Sequence, residues 1–416
     1  MKNNYCSNSK LNALKIIFIF LIALVVLFVI KYSKKLKVNS NKNIAQVKSE
    51  IVTENVVKTN LPFSETEKKI YDRKMLELAN LSVVLPTASS TIGLPPPLPS
   101  PQGGGKNQSL WPVKTVYPNA GALLPFNRIV AYYGNLYSKG MGILGEYPEN
   151  VMLEKLSVEV KKWQKADPET PVVPALHYIA VVAQAGGGRD GKYRARMPDR
   201  EIDKVLEMAK KIDSESFCDF ENTGKEKKEL HFSQTENLPE NQKNKCGAEA
   251  QVFLDIQIAL SSLETEVPRL EKYLKLPNVH LGIDPEFAMH NEVPPGKQIG
   301  SLDGRDINFT IKYLSDLVKE NNLPPKILVV HRFTKPMLTN YKNILPLPEV
   351  QVVIDMDGFG SRGSKLNTYK QYVQKEPVQF GGFKLFYKND TANGQKIFQP
   401  EDLLKLSPRP SYVQFQ

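Results

Sequence analysis

The segment Gln351-Val-Val-Ile-Asp-Met-Asp-Gly-Phe-Gly360 starts apolar, ends acidic and is released by a glycine turn. A short apolar run bounded by turn residues is the mark of a buried strand. Its two-residue period puts Val353, Asp355 and Asp357 on one face, so two carboxylates leave the strand's end in the same direction. The pattern recurs at Val252-Phe-Leu-Asp-Ile-Gln257, at Val279-His-Leu-Gly-Ile-Asp-Pro-Glu286 and at Ile327-Leu-Val-Val-His331. Strands that begin apolar and end polar, most of them followed by a helical pattern, suit a parallel barrel whose reactive groups gather at one rim.

Strand and helix patterns alternate from about Trp111 to the end of the chain. Strands are expected at Arg128–Tyr133, Val172–Val182, Gln251–Ile258, Val279–Pro285, Lys326–Arg332, Val350–Asp357, Gly382–Tyr387 and Ser411–Gln416. Helices are expected at Val151–Ala166, Asp199–Ile212, Glu264–Leu274, Asp306–Glu320 and Glu401–Leu406. Eight strands alternating with helices over about 300 residues predict an α/β protein with a (β/α)8 TIM-like barrel. The alternative is a doubly wound open sheet, which carries a glycine-rich phosphate loop after an early strand. Gly134-Asn-Leu-Tyr-Ser-Lys-Gly140 has no G-x-G-x-x-G, and Gly186-Gly-Gly188 lacks the lysine and hydroxyl residue of a P-loop.

The net charge of +11 resembles a nucleic-acid signal until it is placed. Nine lysines and no acidic residue precede Glu50, so the rest of the chain is near +2 and is not expected to bind nucleic acid. Ile16 to Ile30 is an unbroken apolar run, flanked by Lys10 and Lys15 and by Lys31, Lys34, Lys35 and Lys37. With Leu11 to Leu14 it approaches the ~20 residues that span a bilayer. No small-x-small cleavage motif follows it. Residues 11–31 are therefore expected to form an uncleaved transmembrane signal anchor behind a short tail, 1–10; a cleaved signal peptide is the lesser alternative.

Residues 32–110 read as a juxtamembrane stalk that ends in a spacer rich in Pro, Ser and Gly, expected to be disordered. Within it, Ser64-Glu-Thr-Glu67 is a capping-box pattern that opens a helix toward Leu81. The barrel itself is expected at 111–416, with an insertion at 216–249 in which Cys218 and Cys246 bracket a polar stretch. A disulfide there would stabilise the closed loop by about 3 kcal/mol and would persist only outside the cytoplasm. Lysine counting alone favours a cytoplasmic C-terminal flank. The cysteines and the proline-rich stalk favour the opposite, so the expectation is a single-pass cell-membrane protein with an extracytoplasmic barrel.

The C-terminal ends of the expected strands deliver Tyr132, Tyr133, His177, Asp255, Gln257, Asp284, Glu286, His331, Asp355, Asp357, Lys384 and Gln414. Burying so many polar groups is costly unless they work together or pair. Paired carboxylates are what glycoside cleavage needs, one as acid and one as base or nucleophile. Asp284 and Glu286, presented by a proline-stiffened turn, are the candidates for the acid. Asp355, Asp357 and Asp255 are the candidates for base, nucleophile or substrate ligand. Tyr132, Tyr133, Glu146, Gln257, His331, Phe359, Lys384 and Tyr387 would bind a hydroxyl-rich ligand such as a polysaccharide.

Plainer readings exist for each: Asp355 or Asp255 as a structural partner of Lys384 or another base, Asp284-Pro-Glu286 as a helix or turn cap, the aromatics as packing. The alternative function is accordingly a noncatalytic glycan- or envelope-binding barrel, or a structural one. The histidines form no H-x-x-x-H or H-x-H pair, so no metal is expected. No cofactor fingerprint or G-x-S-x-G elbow is present, so no cofactor is expected either.

The barrel region is similar to glycoside-hydrolase-type barrels. More closely, it resembles a family of bacterial membrane-anchored or lipoprotein-type barrel proteins without an assigned activity. The resembling segments are Arg128-Ile-Val-Ala-Tyr-Tyr-Gly134, Met141-Gly-Ile-Leu-Gly-Glu146, Tyr193-Arg-Ala-Arg-Met-Pro198 and Phe253-Leu-Asp-Ile-Gln257. Gly282-Ile-Asp-Pro-Glu286, Val330-His-Arg-Phe333, Ile354-Asp-Met-Asp-Gly-Phe-Gly360 and Gly382-Phe-Lys-Leu-Phe-Tyr387 continue it. The resemblance covers about Phe126 to Gln416 without the insertion, and implies a barrel at the cell surface. The chain departs from chitinase-type barrels in lacking their D-x-x-D-x-D-x-E strand.

Overall fold

The structure, a computed structural model, describes residues 61–80, 111–113, 115–212, 249–392 and 394–416. The expected anchor, most of the stalk and the cysteine-bracketed insertion lie outside the described residues. No helix among the described residues is long and apolar enough to cross a membrane.

Eight strands carry the fold: β1 (Arg128–Gly134), β2 (Val172–Ala183), β3 (Gln251–Ile256), β4 (Val279–Ile283), β5 (Lys326–Arg332), β6 (Val350–Met356), β7 (Phe380–Leu385) and β8 (Tyr412–Phe415). Each pairs in parallel with the next in sequence, and β1 pairs with β8 as well as β2, so the sheet closes on itself. Closure is the defining feature of a TIM-type barrel and gives each of the eight strands a neighbour on both sides. Only β2 overshoots: its end pairs antiparallel with Arg194–Arg196, and Gly186–Gly188 lies in the connection of this hairpin.

Both faces of the strands are buried, which explains their dense apolar sequences. Val130, Leu176, Leu254 and Ile354 join the outer core beneath the helices. Ile129, Ala131, Phe253, Val329 and Val353 face the barrel axis and join a second core. Helix α1 (Glu65–Leu78) closes the N-terminal end of that second core with Tyr71, Met75 and Leu78, beside Trp111 and Leu124. Its start is the expected capping box: the Ser64 hydroxyl accepts from the Glu67 N–H at 3.3 Å, and the Glu67 carboxylate accepts from the Ser64 N–H at 2.7 Å. The described residues from 61 on thus pack into more than the barrel alone.

The barrel's outer layer includes α2 (Glu149–Ala166), α3 (Asp199–Lys210), α4 (Gly304–Asn321) and α5 (Arg362–Tyr369). The helix expected at Glu264–Leu274 is instead a series of short turns broken at Val267–Leu270, where Pro268 stands. Helix α5 was not legible in the sequence, because it buries only Lys365 and Tyr369 and shows no apolar period.

Candidate acid–base site at the barrel mouth

The strand registers bring the polar strand ends to one level. Tyr133 of β1 lies beside His177 of β2, Asp255 of β3 beside Gly282 of β4, and His331 of β5 beside Asp355 of β6. Asp355 is in turn beside Gly382 of β7, and Lys384 beside Gln414 of β8. The glycines make room for this layer. A Cβ at Gly282 would collide with His177 Nε2 and Asp255 Oδ1, and one at Gly382 with Asp355 Oδ1. His177, Asp255, His331 and Asp355 are 0% exposed. Asp284 and Asp357, farther along β4 and β6, are nearly buried, and Glu286 is half-buried.

One connected network joins these groups. Lys384 Nζ is 3.0 Å from Asp357 Oδ1 and 3.7 Å from the centre of the Tyr133 ring. His331 Nδ1 faces Asp355 Oδ2 at 3.3 Å and Asp357 Oδ2 at 3.2 Å. Its Nε2 faces Asp255 Oδ1 at 3.5 Å, and His177 Nε2 faces the same oxygen at 3.4 Å. The Tyr133 hydroxyl donates to Asp255 Oδ2 at 3.1 Å. His177 Nδ1 is 2.6 Å from the Tyr412 hydroxyl, to which the Gln414 amide donates at 2.9 Å. Asp284 caps the turn Pro285–Phe287 by accepting from the Glu286 N–H at 3.1 Å, and it accepts from Gln257 Nε2 at 3.3 Å. The Glu286 carboxylate makes no hydrogen bond or ion pair among the described residues.

The surroundings push these carboxyls apart in acidity. Burial holds Asp284 well above the usual carboxylate range, with Asp255 and Asp357 adding to the effect against His331. Burial and then the nearby Asp357 raise Glu286, which Lys384 and His331 only partly offset. Burial also raises Asp355, against its contact with His331. Asp357 goes the other way: burial alone would raise it, but Lys384 and His331 together hold it below the usual range. Burial likewise opposes ionisation of Asp255, yet His331 and His177 hold it down. Burial lowers His177 to about 4, whereas Asp255 and Asp357 outweigh burial and raise His331. Carboxyls that hold their protons more tightly than usual thus stand beside carboxyls that hold them less tightly, the kind of division acid–base catalysis uses.

Of the residues singled out in the sequence, the structure brings Tyr133, Asp255, Gln257, Asp284, His331, Asp355, Asp357 and Lys384 together, with Glu286 at the mouth. Tyr132 and Tyr387 are not among them. They lie on the outer face of the barrel wall, hydroxyl to hydroxyl at 3.1 Å, with Tyr387 stacked on Phe415. The period of two explains it, since Tyr132 and Tyr133 are consecutive and cannot both face the axis. Glu146 pairs with Lys388 at 2.7 Å. Phe359 is 65% exposed and edge-on to Phe386. Lys384 pairs with Asp357, not with Asp355 as its neighbouring strand suggested. Sequence reasoning missed Tyr412, whose hydroxyl meets His177; its place two residues before Gln414 on one strand face was the available signal. A cavity of about 580 Å³ lined by Arg332, Tyr341 and Glu376 lies elsewhere and includes none of these residues.

No family model and no curated protein matches the chain. Among solved structures it is similar to a β-glucuronidase of Parabacteroides merdae, solved with glycerol in its active site. The identity is 9% and the TM-score 0.29, over 69% of this chain and 31% of that one. The closed parallel sheet itself defines the class of this protein: a (β/α)8 barrel with an acidic network below its mouth.

Proposed function

We propose that the protein is a membrane-tethered hydrolase that cleaves glycosidic bonds of an envelope or extracellular glycan at the barrel mouth. One observation carries this reading. Glu286, half-exposed and without a side-chain partner among the described residues, shares the mouth with Asp357, which is tied to Lys384. Glu286 then gives its proton to the leaving glycosidic oxygen. Asp357 takes a proton from the attacking water or attacks the sugar itself, the two geometries open to such a pair. Phe359 offers an exposed ring on which a sugar can stack.

The test is reducing-end release from purified envelope polysaccharides by the full-length chain in detergent. Glu286→Gln should lower turnover by about 10²-fold or more while leaving the circular dichroism spectrum unchanged. Release that survives in Glu286→Gln would remove Glu286 from the acid's role. A second reading, a barrel that binds glycan without cleaving it, is favoured by the internal partners of Asp255, Asp284 and Asp357. Glycan binding with no release from any polymer would establish it instead.

A further inference from the structure

We propose that His177, Asp255 and His331 bind a divalent transition-metal ion, with Zn²⁺ the best match, beneath the barrel mouth. The three residues each place one ligand atom within 4.8 Å of the others. His177 Nε2, Asp255 Oδ1 and His331 Nε2 are buried, and none has a hydrogen-bond partner among the described residues. Native proteins rarely leave buried polar atoms unsatisfied. Here three such atoms, from β2, β3 and β5, converge on one point, and a single cation satisfies all of them. The separations of 3.4 and 3.5 Å from Asp255 Oδ1 to the two nitrogens are within reach of a shared metal ion. Tetrahedral coordination at zinc's bond lengths sets neighbouring ligands about 3.3–3.4 Å apart.

The far sides of the ligands are prepared for this role. A metal-bound imidazole characteristically gives its other N–H to a carboxylate or similar acceptor, which fixes the ring and leaves the ligating nitrogen its lone pair. His331 Nδ1 lies 3.3 Å from Asp355 Oδ2 and 3.2 Å from Asp357 Oδ2 without a hydrogen bond to either among the described residues, and His177 Nδ1 lies 2.6 Å from the Tyr412 hydroxyl and 3.0 Å from Gln414 Nε2. Asp255 is steadied by Tyr133 through its other oxygen. Gly282 lets His177 and Asp255 approach over β4. Two imidazoles and a carboxylate suit zinc, and three residue ligands leave the fourth tetrahedral position for a non-protein donor. No metal was expected from the sequence, because each ligand stands on a different strand and no local spacing joins them.

The inference is independent of the glycosidase reading, since metal binding can be measured in a chain without activity. The full-length chain, in a Cys6→Ser/Cys218→Ser/Cys246→Ser background that removes every cysteine, is stripped with a chelator and titrated. One Zn²⁺ per chain is expected, with Co²⁺ giving the intense visible absorption of a tetrahedral site. Asp255→Asn and His331→Gln should each weaken Zn²⁺ binding at least 100-fold, and Tyr412→Phe about 10-fold. Glu286→Gln should leave it unchanged. Should the ligand variants fail to fold, zinc-edge X-ray absorption of the parent background decides the matter. Two imidazoles and oxygen donors at about 2.0–2.1 Å support the site. No equimolar binding, a shell of oxygen alone, or undiminished affinity in a folded ligand variant overturns it.

Discussion

Glu286 and Asp357 show how position within a few ångströms decides the chemistry of a carboxyl group. Glu286 faces Asp357 of β6 and, more weakly, Lys384 of β7 and His331 of β5; burial and Asp357 win, and its acidity falls. The consequence for stability has a definite sign. At pH values below the ordinary glutamate range, Glu286 is neutral in the folded and unfolded chains alike and contributes no difference. As pH rises, the unfolded chain ionises first, so the folded wild type loses stability until Glu286 ionises in place as well. Glu286→Gln escapes this loss. Its urea midpoint should match wild type near pH 4 and exceed it increasingly toward neutrality; a gap that does not change with pH would contradict the raised acid. The sequence placed Asp284 and Glu286 together at a strand end, yet could not say which would cap the turn and which would stand free. That division is made by Gln257, which reaches Asp284 from the neighbouring strand end and leaves Glu286 alone.

At the scale of the element, the strands were legible because each is short, apolar and β-branched, and ends where its polar residues begin. Lys326–Arg332 agrees with the sequence reading at both ends, and the other seven differ by one or two residues at their ends. Helices fared less well. Tertiary packing supports α5 without a strong apolar stripe, and Pro268 breaks the turns after β3. The height of each strand relative to its neighbours was not legible at all, because closure sets it. That height turns separate residues into one layer, and glycines at Gly282 and Gly382 permit it. Gly282→Ala should therefore destabilise the fold by roughly 1–3 kcal/mol, the usual cost of forcing volume into a packed interior. Gly186→Ala, where an added Cβ meets nothing within 4 Å, should change little. Urea denaturation of the two variants makes the comparison. Equal midpoints would mean that the layer around His177 and Asp255 is looser than its geometry implies.

At the scale of the whole molecule, the sequence argues for a membrane anchor and, with it, for one side of the membrane as the barrel's. The anchor at residues 11–31 and the pair Cys218 and Cys246 are argued from sequence, as they lie outside the described residues. Two sequence signals compete. The lysines after Ile30 favour a cytoplasmic barrel by the positive-inside rule. A disulfide across the insertion would require an oxidising compartment, and cytoplasmic thiols would keep it open. Charge rules govern short flanks, and a folded barrel carrying about +2 past Glu50 adds no further cytoplasmic bias. A glycan substrate also lies outside, so the proposed activity and the disulfide demand the same topology. The proposal is a barrel outside the cytoplasm with Cys218 bonded to Cys246. Protease added to intact cells should then remove the barrel and leave the anchor. Nonreducing peptide mapping should show one Cys218–Cys246 cross-link that disappears on reduction. Protection until lysis, with both thiols free to alkylation, would place the barrel in the cytoplasm and remove envelope glycans as its substrate.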